Sequence, residues 1–419
     1  MSIFLLSMKS LFNRKTTALL TIFSIAISVM LLLGVERIKN NTKSSFANTI
    51  SGTDLIVGAR SGTTQLLLYS VFRIGNATNN VTWKSYRDIA NQSNIAWTIP
   101  FSLGDSHRGF RVLGTNGEYF KHYRYGNNRL LTFLSGVSFD DLFDAVIGSD
   151  VAASLGYEVG SSIVVAHGLG QEGFTKHQDK PFRVSGILSK TGTPVDRTVH
   201  VSLRAIEAIH IDWKSGARIP GKTISADEVR KKELQPRAIT AFLVGLKSRL
   251  VAFSMQRFIN NYREEPLLAV LPGAALQELW SLMGTAETAL SSISIFVVVS
   301  GLLGMLTMLL SSLNERRREM AILRSVGARP AHIFGLFVFE ATVLTTIGTL
   351  TGLFLLCVLL VIAQPIIDSQ FGIYISLSFL TIRELAIISV VIIAGTLVGT
   401  FPAYQAYRKS LTDGMMVRN

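Results

Sequence analysis

The chain has 419 residues, of which 48% are hydrophobic and 16% charged, and its formal net charge at pH 7 is +13. This composition is too apolar for an average soluble protein and too polar for a chain lying wholly in a bilayer, so we expect membrane spans and a water-exposed domain. Much of the positive charge lies beside apolar runs, which favours a lipid bilayer and disfavours nucleic acid as a partner. The single cysteine, Cys357, excludes an intrachain disulfide and a multi-cysteine metal site.

Four apolar runs are long enough to cross a hydrocarbon core of about 30 Å. Residues 1–15 alternate apolar and basic groups and predict an interfacial helix on the cytoplasmic leaflet. The predicted spans are 16–35, 289–313, 332–367 and 385–407, with a short outer loop at 368–384 and a tail at 408–419. Charged residues follow the first run, unlike the small residues after a cleaved signal peptide. The arginine-rich loop 314–331 is predicted to be cytoplasmic, which places both termini on that side.

Residues 36–273 contain no such run and predict an α/β domain on the outer side of the membrane. Apolar patterns ending in glycine or polar turns indicate strands at 54–58, 110–114, 145–148, 161–165, 182–188 and 198–202, and a helix at 149–155. We expect a more helical lobe over about 70–144. Leu276, Leu279 and Trp280 share one helical face, so residues 274–288 predict a stalk helix that continues into the second span.

The loop between the second and third spans has a distinctive sequence, NERRREMAILRSVGARP, from Asn314 to Pro330. The apolar residues Met320–Leu323 lie within a basic rim, and Gly327 is expected to end a short helix. An amphipathic helix of this kind is suited to docking into a groove of another protein. The segment ERRREMAILRSVGA resembles the ERxREIGxLRAxGA signature of the MacB, LolC/LolE and FtsX-like permeases of ABC transporters.

The resemblance extends over nearly the whole chain. Ile147–Gly160 and Phe182–Leu188 resemble the IGSxxAxxLGxxxG and FxVxGIL segments of the family's periplasmic domain, and the sequence from Pro402 resembles the family's tail. The resemblance implies a non-catalytic permease subunit of the bacterial inner membrane, with its large domain in the periplasm. It also implies a second permease copy, in a homodimer or a related heterodimer.

In this family the loop is the coupling helix that sits on a separate, dimeric ABC ATPase. By that resemblance, the ATPase-coupling residues are Glu315, Arg318, Glu319, Met320, Ile322, Leu323, Arg324 and Gly327. ATP and Mg²⁺ would be bound by the partner, and this chain would need no cofactor of its own. The segment Gly216–Thr223 matches GxxxxGK[ST], but its predicted location outside the cytoplasm favours an ordinary Gly/Pro loop.

The function retains alternatives at this stage. The ATPase-driven movement could export or extract a substrate on the periplasmic side, or, as in FtsX-like proteins, activate a periplasmic enzyme without transport. A periplasmic adaptor or substrate-binding protein is a further candidate partner. A third alternative is a zinc-linked system. Its possible ligands are grouped in one region of the outer domain, at His167, His177, Asp179, His200 and His210, and the candidates are His167, His177 and Asp179. Their spacing matches no compact ligand motif, so the sequence favours scattered histidines and no metal site.

Polar and small residues within the spans suggest helix contacts. Glu340 is the only carboxylate of the third span, and it predicts either an interhelical hydrogen bond that shifts between transport states or a contact with surface arginines such as Arg329. The small residues Gly301 with Gly304, and Gly348 with Gly352, predict close helix packing of the kind that a permease dimer would need.

Overall fold

The computed structural model describes residues 14–167, 177–214, 217–218, 224–371 and 380–412. These divide into a membrane unit, drawn from residues 1–41, 284–366 and 375–419, and an α/β unit, drawn from residues 42–283 and 367–374. The predictions for residues 1–13, for Gly216–Thr223 apart from residues 217–218, for much of the outer loop and for the end of the tail lie outside the described residues.

The helices and strands are numbered in chain order. The helices are α1 (Lys15–Thr49), α2 (Thr63–Ser70), α3 (Trp83–Ala90), α4 (Glu118–His122), α5 (Ser149–Leu155), α6 (Leu203–His210), α7 (Ala226–Arg230), α8 (Ala252–Asn260), α9 (Pro272–Glu315), α10 (Arg317–Ser325), α11 (Pro330–Phe371) and α12 (Ile382–Thr412). The strands are β1 (Leu55–Ala59), β2 (Val81–Thr82), β3 (Ile95–His107), β4 (Phe110–Thr115), β5 (Arg124–Tyr125), β6 (Arg129–Leu130), β7 (Phe133–Gly136), β8 (Asp144–Ile147), β9 (Ser162–Ile163), β10 (Ala166–His167), β11 (Phe182–Leu188), β12 (Thr198–Ser202), β13 (Trp213–Lys214), β14 (Ala217–Arg218), β15 (Ala238–Ile239), β16 (Ala241–Leu246) and β17 (Leu267–Val270). Short 3-10 helices lie at Pro194–Arg197 and Arg249–Val251.

The membrane unit is built from four long apolar helices. Among the described residues, four helices are long and apolar enough to cross a membrane, over Lys15–Ser44, Pro272–Leu313, Pro330–Gln364 and Ile382–Arg408. Large apolar side chains on their outward faces, such as Leu20, Phe296 and Phe354, are exposed. Helices that are apolar on every face are typical of a membrane span. The predicted class, four membrane helices with an α/β domain between the first and the second, is confirmed.

Glycines allow α1 to lie close to α9 and α11. A Cβ at Gly348 would lie 2.8 Å from Ile25 Cβ, and one at Gly352 would lie 2.5 Å from Ala26 O. A Cβ at Gly301 would lie 2.8 Å from the Ser28 hydroxyl, which donates to Val297 O across the same interface at 3.1 Å. At Gly304 no described atom lies within 4 Å of that position. Three of the four predicted glycines therefore pack helices within one chain, and their use in a dimer stays a prediction.

The α/β unit is organised around one mixed sheet. Among the described residues it contains eleven strands in the order β17-β1-β16-β3-β4-β12-β8-β11-β7, with β10 paired to β3 and β9 to β11. The pairs β4/β12 and β8/β11 are parallel, and the remaining pairs of this sheet are antiparallel. The bounds of α5, β11 and β12 coincide with those expected from the sequence.

The expectation of a more helical lobe at 70–144 is wrong. This range contains two short complete helices, α3 and α4, together with the thirteen-residue strand β3 and all of β4. The physical reason is that these strands supply the middle of the sheet, so that tertiary pairing outweighs the weak local helical preference.

Both faces of the sheet are buried. Along β16, Ala241 and Leu243 join one apolar cluster, whereas Phe242 and Val244 join the cluster on the opposite face, as the two-residue period of a strand requires. The first cluster also contains Ala275 and Leu279 from the start of α9. The predicted stalk is thus the first part of one continuous helix, α9, whose opening turns belong to the core of the α/β unit.

Candidate functional site

The predicted cytoplasmic loop is a short helix between two membrane helices. Only Arg316 separates the end of α9 from the start of α10. Gly327, with a φ of +96°, ends α10: its N–H donates to Arg324 O at 3.0 Å, and the Ala328 N–H donates to Leu323 O at 2.9 Å. This is a Schellman motif, in which a left-handed residue favours glycine. Pro330 then begins α11, a position where its missing N–H costs nothing.

Helix α10 has one face towards the membrane helices and one that is exposed. Met320 is buried with Leu313, Ile333, Phe337, Ala403 and Ala406. Ile322 and Val326, four residues apart on one face, are 56% and 82% exposed. Glu319 is exposed and Leu323 and Arg324 are half-buried, while the side chains of Glu315 and Arg318 are not among those described. Met320 therefore belongs to the inward face, and Val326, which the sequence analysis missed, joins the outward one.

A buried ion pair ties the start of α10 to the third membrane helix. Arg316 Nη1 lies 2.6 Å from Glu340 Oε2, and both side chains are 2% exposed. The Arg316 guanidinium also lies 4.6 Å from the centre of the Phe337 ring and reaches Glu319 Oε2 at 3.3 Å. Glu340 thus has an interhelical partner, Arg316, which the sequence analysis counted only as a topogenic charge. The sequence does contain a pattern that indicates this pair, namely an arginine at the end of one span and a single carboxylate in the next.

A second buried pair lies among the residues at the other ends of the membrane helices. Arg37 Nε lies 2.8 Å from Glu384 Oε1 and Arg37 Nη2 3.3 Å from Glu384 Oε2, the two-pronged geometry that a guanidinium and a carboxylate favour. Glu384 also accepts the Thr381 N–H at 2.8 Å, and the Thr381 hydroxyl accepts the Glu384 N–H at 3.2 Å. The first and fourth membrane helices are therefore joined by charge. Neither Arg37 nor Glu384 was predicted from the sequence as a functional residue.

Three histidines of the α/β unit converge, although their spacing predicted scattered positions. Ligand atoms of His167, His177 and His210 lie within 4.8 Å of one another. The ring centres of His167 and His210 are 4.4 Å apart and stacked, and the His177 ring is 4.9 Å from that of His167 and 5.2 Å from that of His210. Strand pairing places His167 directly opposite Asp105, whose Oδ1 is 2.9 Å from His167 Nδ1 and 3.7 Å from His210 Nε2.

The candidate ligand set from the sequence changes accordingly. His167 and His177 do lie together, but Asp179 contacts Lys180 Nζ at 3.1 Å, and it is not among the three residues whose ligand atoms converge. His210, which the sequence grouped with these residues without making it a candidate ligand, ends α6, and Asp105, which the sequence did not suggest, lies in β3. Only the sheet register and the packing of α6 bring them together, so no local motif could have identified them.

Burial keeps two of these imidazoles neutral. The pKa of His177 is lowered to about 4, mainly by burial and also by the neighbouring His210 and His167, while Asp105 acts in the opposite direction. Burial also lowers the pKa of His210, against a raising effect of Asp105. A neutral imidazole keeps a nitrogen lone pair, which is the form that binds metal ions.

Comparison with known proteins assigns both units. The family model described as "MacB-like periplasmic core domain" matches residues 18–232, just over half of the chain, and the model described as "FtsX-like permease C-terminal" matches residues 291–411. The macrolide export ATP-binding/permease protein MacB of Nitrobacter winogradskyi is 24% identical over 416 residues, covering 93% of this chain and 56% of that protein. The protein of the same name from Mannheimia succiniciproducens is 21% identical over 97% of this chain and 59% of its own length.

The crystal structure of the periplasmic region of MacB from Actinobacillus actinomycetemcomitans is also similar, with a TM-score of 0.34 and 13% identity, over 55% of this chain and 94% of that one. The chain spans little more than half the length of the curated relatives that it matches. The two family matches follow one another along the chain, one on the first membrane helix and most of the α/β unit, the other on the remaining membrane helices. This chain belongs to the MacB-like and FtsX-like family of ABC transporter permeases.

Proposed function

We propose that this chain is the transmembrane subunit of a MacB-like ABC transporter in the bacterial inner membrane. Helix α10 and both termini would face the cytoplasm, and the α/β unit would face the periplasm. A separate ABC ATPase, which binds ATP and Mg²⁺, would drive movements that export or extract a substrate on the periplasmic side. Family membership supports this proposal, as do the names of the relatives, which are ATP-binding/permease proteins.

The observation that carries the proposal is the arrangement of α10. It exposes an apolar pair, Ile322 and Val326, on a helix whose opposite side is anchored in the membrane unit by Arg316 and Met320. An exposed apolar pair on a short helix suits insertion into a hydrophobic groove. Because the predicted cytoplasmic side of the chain offers this helix, we propose that it is the coupling helix.

The anchoring residues explain how movement of α10 would reach the membrane helices. Separating Arg316 from Glu340 would leave a buried charge without its partner, at a cost of about 3–5 kcal/mol. Withdrawing Met320 from its apolar cluster would cost about 2–5 kcal/mol more. Moving α10 away from α11 would therefore cost more free energy than moving the two helices together. We expect a force that the ATPase exerts on α10 to move the membrane unit with it.

The test compares ATPase capture by two variants. In Ile322→Asp/Val326→Asp, the exposed apolar side chains of Ile322 in α10 and of Val326 directly after it become charged. The matched control is Leu250→Asp, an exposed leucine of the α/β unit. Each protein is purified in mild detergent, and the eluate is assayed for ATP hydrolysis and its proteins are identified by mass spectrometry. We expect an ABC ATPase to accompany wild type and the control, and its amount to fall at least about tenfold with the α10 variant, as loss of an interface hot spot predicts.

Equal recovery of the ATPase with the α10 variant would remove α10 as its docking site. Recovery of no ATPase with folded wild-type protein would count against the transporter assignment itself. The unfolding temperatures of the three proteins are also compared, to show whether a variant that loses ATPase binding is still folded.

A further inference from the structure

The cluster of His167, His177 and His210 brings together side chains from three different parts of the α/β unit. His167 lies in β10, His210 ends α6, and His177 precedes β11. The backbone N–H of His177 donates to Val165 O at 3.0 Å, so this segment is attached beside β10. Imidazole nitrogens from separate elements meeting at one point are the usual construction of a transition-metal site, because such ions take nitrogen ligands.

We propose that His167, His177 and His210 bind one divalent transition-metal ion of the zinc type, and that Asp105 positions their rings. The site involves no residue of α10, so it stands or falls independently of the ATPase docking proposed above.

The spacing of the three histidines suits such an ion after a small adjustment. In a tetrahedral site with Zn–N bonds of about 2.0–2.1 Å, neighbouring ligand atoms are about 3.3–3.4 Å apart. The three histidine ligand atoms already lie within 4.8 Å of one another. Closing the difference requires ring movements of about an ångström, which rotation about side-chain bonds supplies without moving the strands.

Asp105 adds the charge and orientation that such a site needs. Its Oδ1 lies 2.9 Å from His167 Nδ1, and the carboxylate is almost completely buried. A carboxylate beside one nitrogen of an imidazole orients the ring and makes the other nitrogen a stronger ligand. Its negative charge also offsets part of the charge of a divalent ion in a site with little solvent.

A buried ion pair holds two of the ligand-bearing segments in place. Lys180 Nζ lies 2.9 Å from Asp212 Oδ1, and neither side chain is exposed to solvent. Lys180 follows His177 by three residues and Asp212 follows His210 by two, so the pair ties the His177 segment to the end of α6. Such preorganisation reduces the entropy lost when a metal ion draws the ligands together.

The site is also accessible from one side. His177 and Asp105 are buried, whereas the side chains of His167 and His210 are 30% and 26% exposed. An ion could therefore enter past these two rings without opening the core.

The ligand chemistry discriminates among cations. Three nitrogen donors suit Zn²⁺ and its neighbours in the first transition row, whereas Mg²⁺ and Ca²⁺ prefer sites made of oxygen atoms. The competing explanation is a hydrogen-bonded histidine cluster in which Asp105 stabilises the rings and no ion binds. A metal site predicts saturable metal binding that depends on the histidines, whereas a hydrogen-bonded cluster predicts none.

The experiment uses the full-length chain in mild detergent, purified without a histidine tag and treated with a chelator. Calorimetric titration with Zn²⁺ measures stoichiometry and affinity, and the same titration in excess Mg²⁺ and Ca²⁺ measures selectivity. The variants are His210→Gln, His167→Gln/His210→Gln and Asp105→Asn. His122→Gln is the matched control, because His122 is similarly exposed but lies outside the cluster, stacked on Trp97 with ring centres 5.1 Å apart.

We expect one Zn²⁺ per chain for wild type and for His122→Gln, with little competition from Mg²⁺ or Ca²⁺. Asp105→Asn should weaken binding by about 10- to 100-fold, as loss of an orienting partner does elsewhere. His210→Gln should weaken it at least as much, and the double variant should abolish it. Zn²⁺ should also raise the unfolding temperature of wild type but not that of the double variant.

Two results would overturn the proposal. One is the absence of saturable Zn²⁺ binding to folded wild-type protein. The other is an affinity that the double variant leaves unchanged while its unfolding temperature without metal matches that of wild type, since the bound ion would then lie elsewhere. Because His167 and His210 are partly exposed, their replacement by glutamine is the change least disruptive to folding, and His177 is left in place for that reason.

Discussion

His200 lies in the middle of β12 and is fully buried against the rings of Tyr119 and Phe120, with ring centres 5.1 and 6.2 Å away. Burial, together with the nearby Arg73 guanidinium, lowers its pKa to about 3. In the unfolded chain a histidine titrates near its ordinary pKa of about 6.5. Folding therefore favours the neutral ring, and its contribution to stability is complete above that ordinary value and is lost as the pH falls from about 6.5 towards about 3.

This gives a prediction for His200→Gln, which removes the titrating group. Between pH 6 and pH 4.5, the free energy of unfolding of wild type should fall more steeply than that of the variant, by up to about 1.4 kcal/mol per pH unit, the value for one proton. Urea unfolding of the full chain in detergent, followed by tryptophan fluorescence across this range, measures both slopes. Other groups titrate equally in the two proteins, so equal slopes would contradict the neutral burial of His200.

At the scale of elements, the connection from α9 through α10 to α11 shows how one residue can join three helices. Arg316 lies between α9 and α10 and contacts Glu340 and Phe337 of α11. The exposed Glu319 contacts the same guanidinium from α10. Removing one partner of a buried ion pair destabilises the folded protein strongly. An exposed carboxylate such as Glu319 contributes at most about 1 kcal/mol to the free energy of unfolding.

A double-mutant cycle on Arg316→Met and Glu340→Leu tests this arrangement. Each single variant leaves a buried charge and should lose about 3–5 kcal/mol, while the double variant should lose less than the sum, because neither charge remains. Glu319→Ala is the control and should lose no more than about 1 kcal/mol. The measurement is reversible unfolding in mixed detergent micelles. Strictly additive losses would show that the two side chains act independently.

At the scale of the whole molecule, the chain forms a membrane unit and an α/β unit, with α1, α9 and α11 each contributing residues to both. In the membrane unit, the buried pairs Arg316–Glu340 and Arg37–Glu384 lie near opposite ends of the spans, since α1, α9, α11 and α12 alternate in direction along the chain. If α10 lies in the cytoplasm, as proposed, residues 42–283 are expected on the other side of the membrane, because one span, within α9, separates them from α10 along the chain.

Cysteine labelling tests this orientation. Cys357, which lies within a span, is first replaced by alanine, and Leu250→Cys or Ser325→Cys is then introduced at an exposed position of the α/β unit or of α10. In cells with a permeabilised outer membrane, a maleimide that cannot cross the inner membrane should label Leu250→Cys at once. It should label Ser325→Cys only after the inner membrane is disrupted. The reverse pattern would invert the proposed topology.

Much of the architecture could be predicted from the sequence because it depends on local properties. Four long apolar runs indicated the membrane helices, and β11, β12 and α5 have the bounds that their residue patterns predicted. The glycine that ends α10 was also identified, since a left-handed residue after an amphipathic turn is a local feature. The lobe at 70–144 was predicted wrongly, because its strands depend on distant partners in the sheet.

The sites depended on contacts between residues that are far apart along the chain. Arg37 and Glu384 are separated by 347 residues, and Arg316 was identified only as a positive charge until packing placed it against Glu340. Likewise, the sequence grouped five possible ligands, His167, His177, Asp179, His200 and His210. The strand register added Asp105, and packing brought His210 to His167 and His177 while Asp179 and His200 are not part of the cluster. The lengths of the apolar runs and the periodicity of the sequence determined the class of this chain, its membrane helices and part of its sheet. Only the tertiary structure decided which residues form the buried ion pairs and the histidine cluster, because these depend on burial and on contacts between residues far apart along the chain.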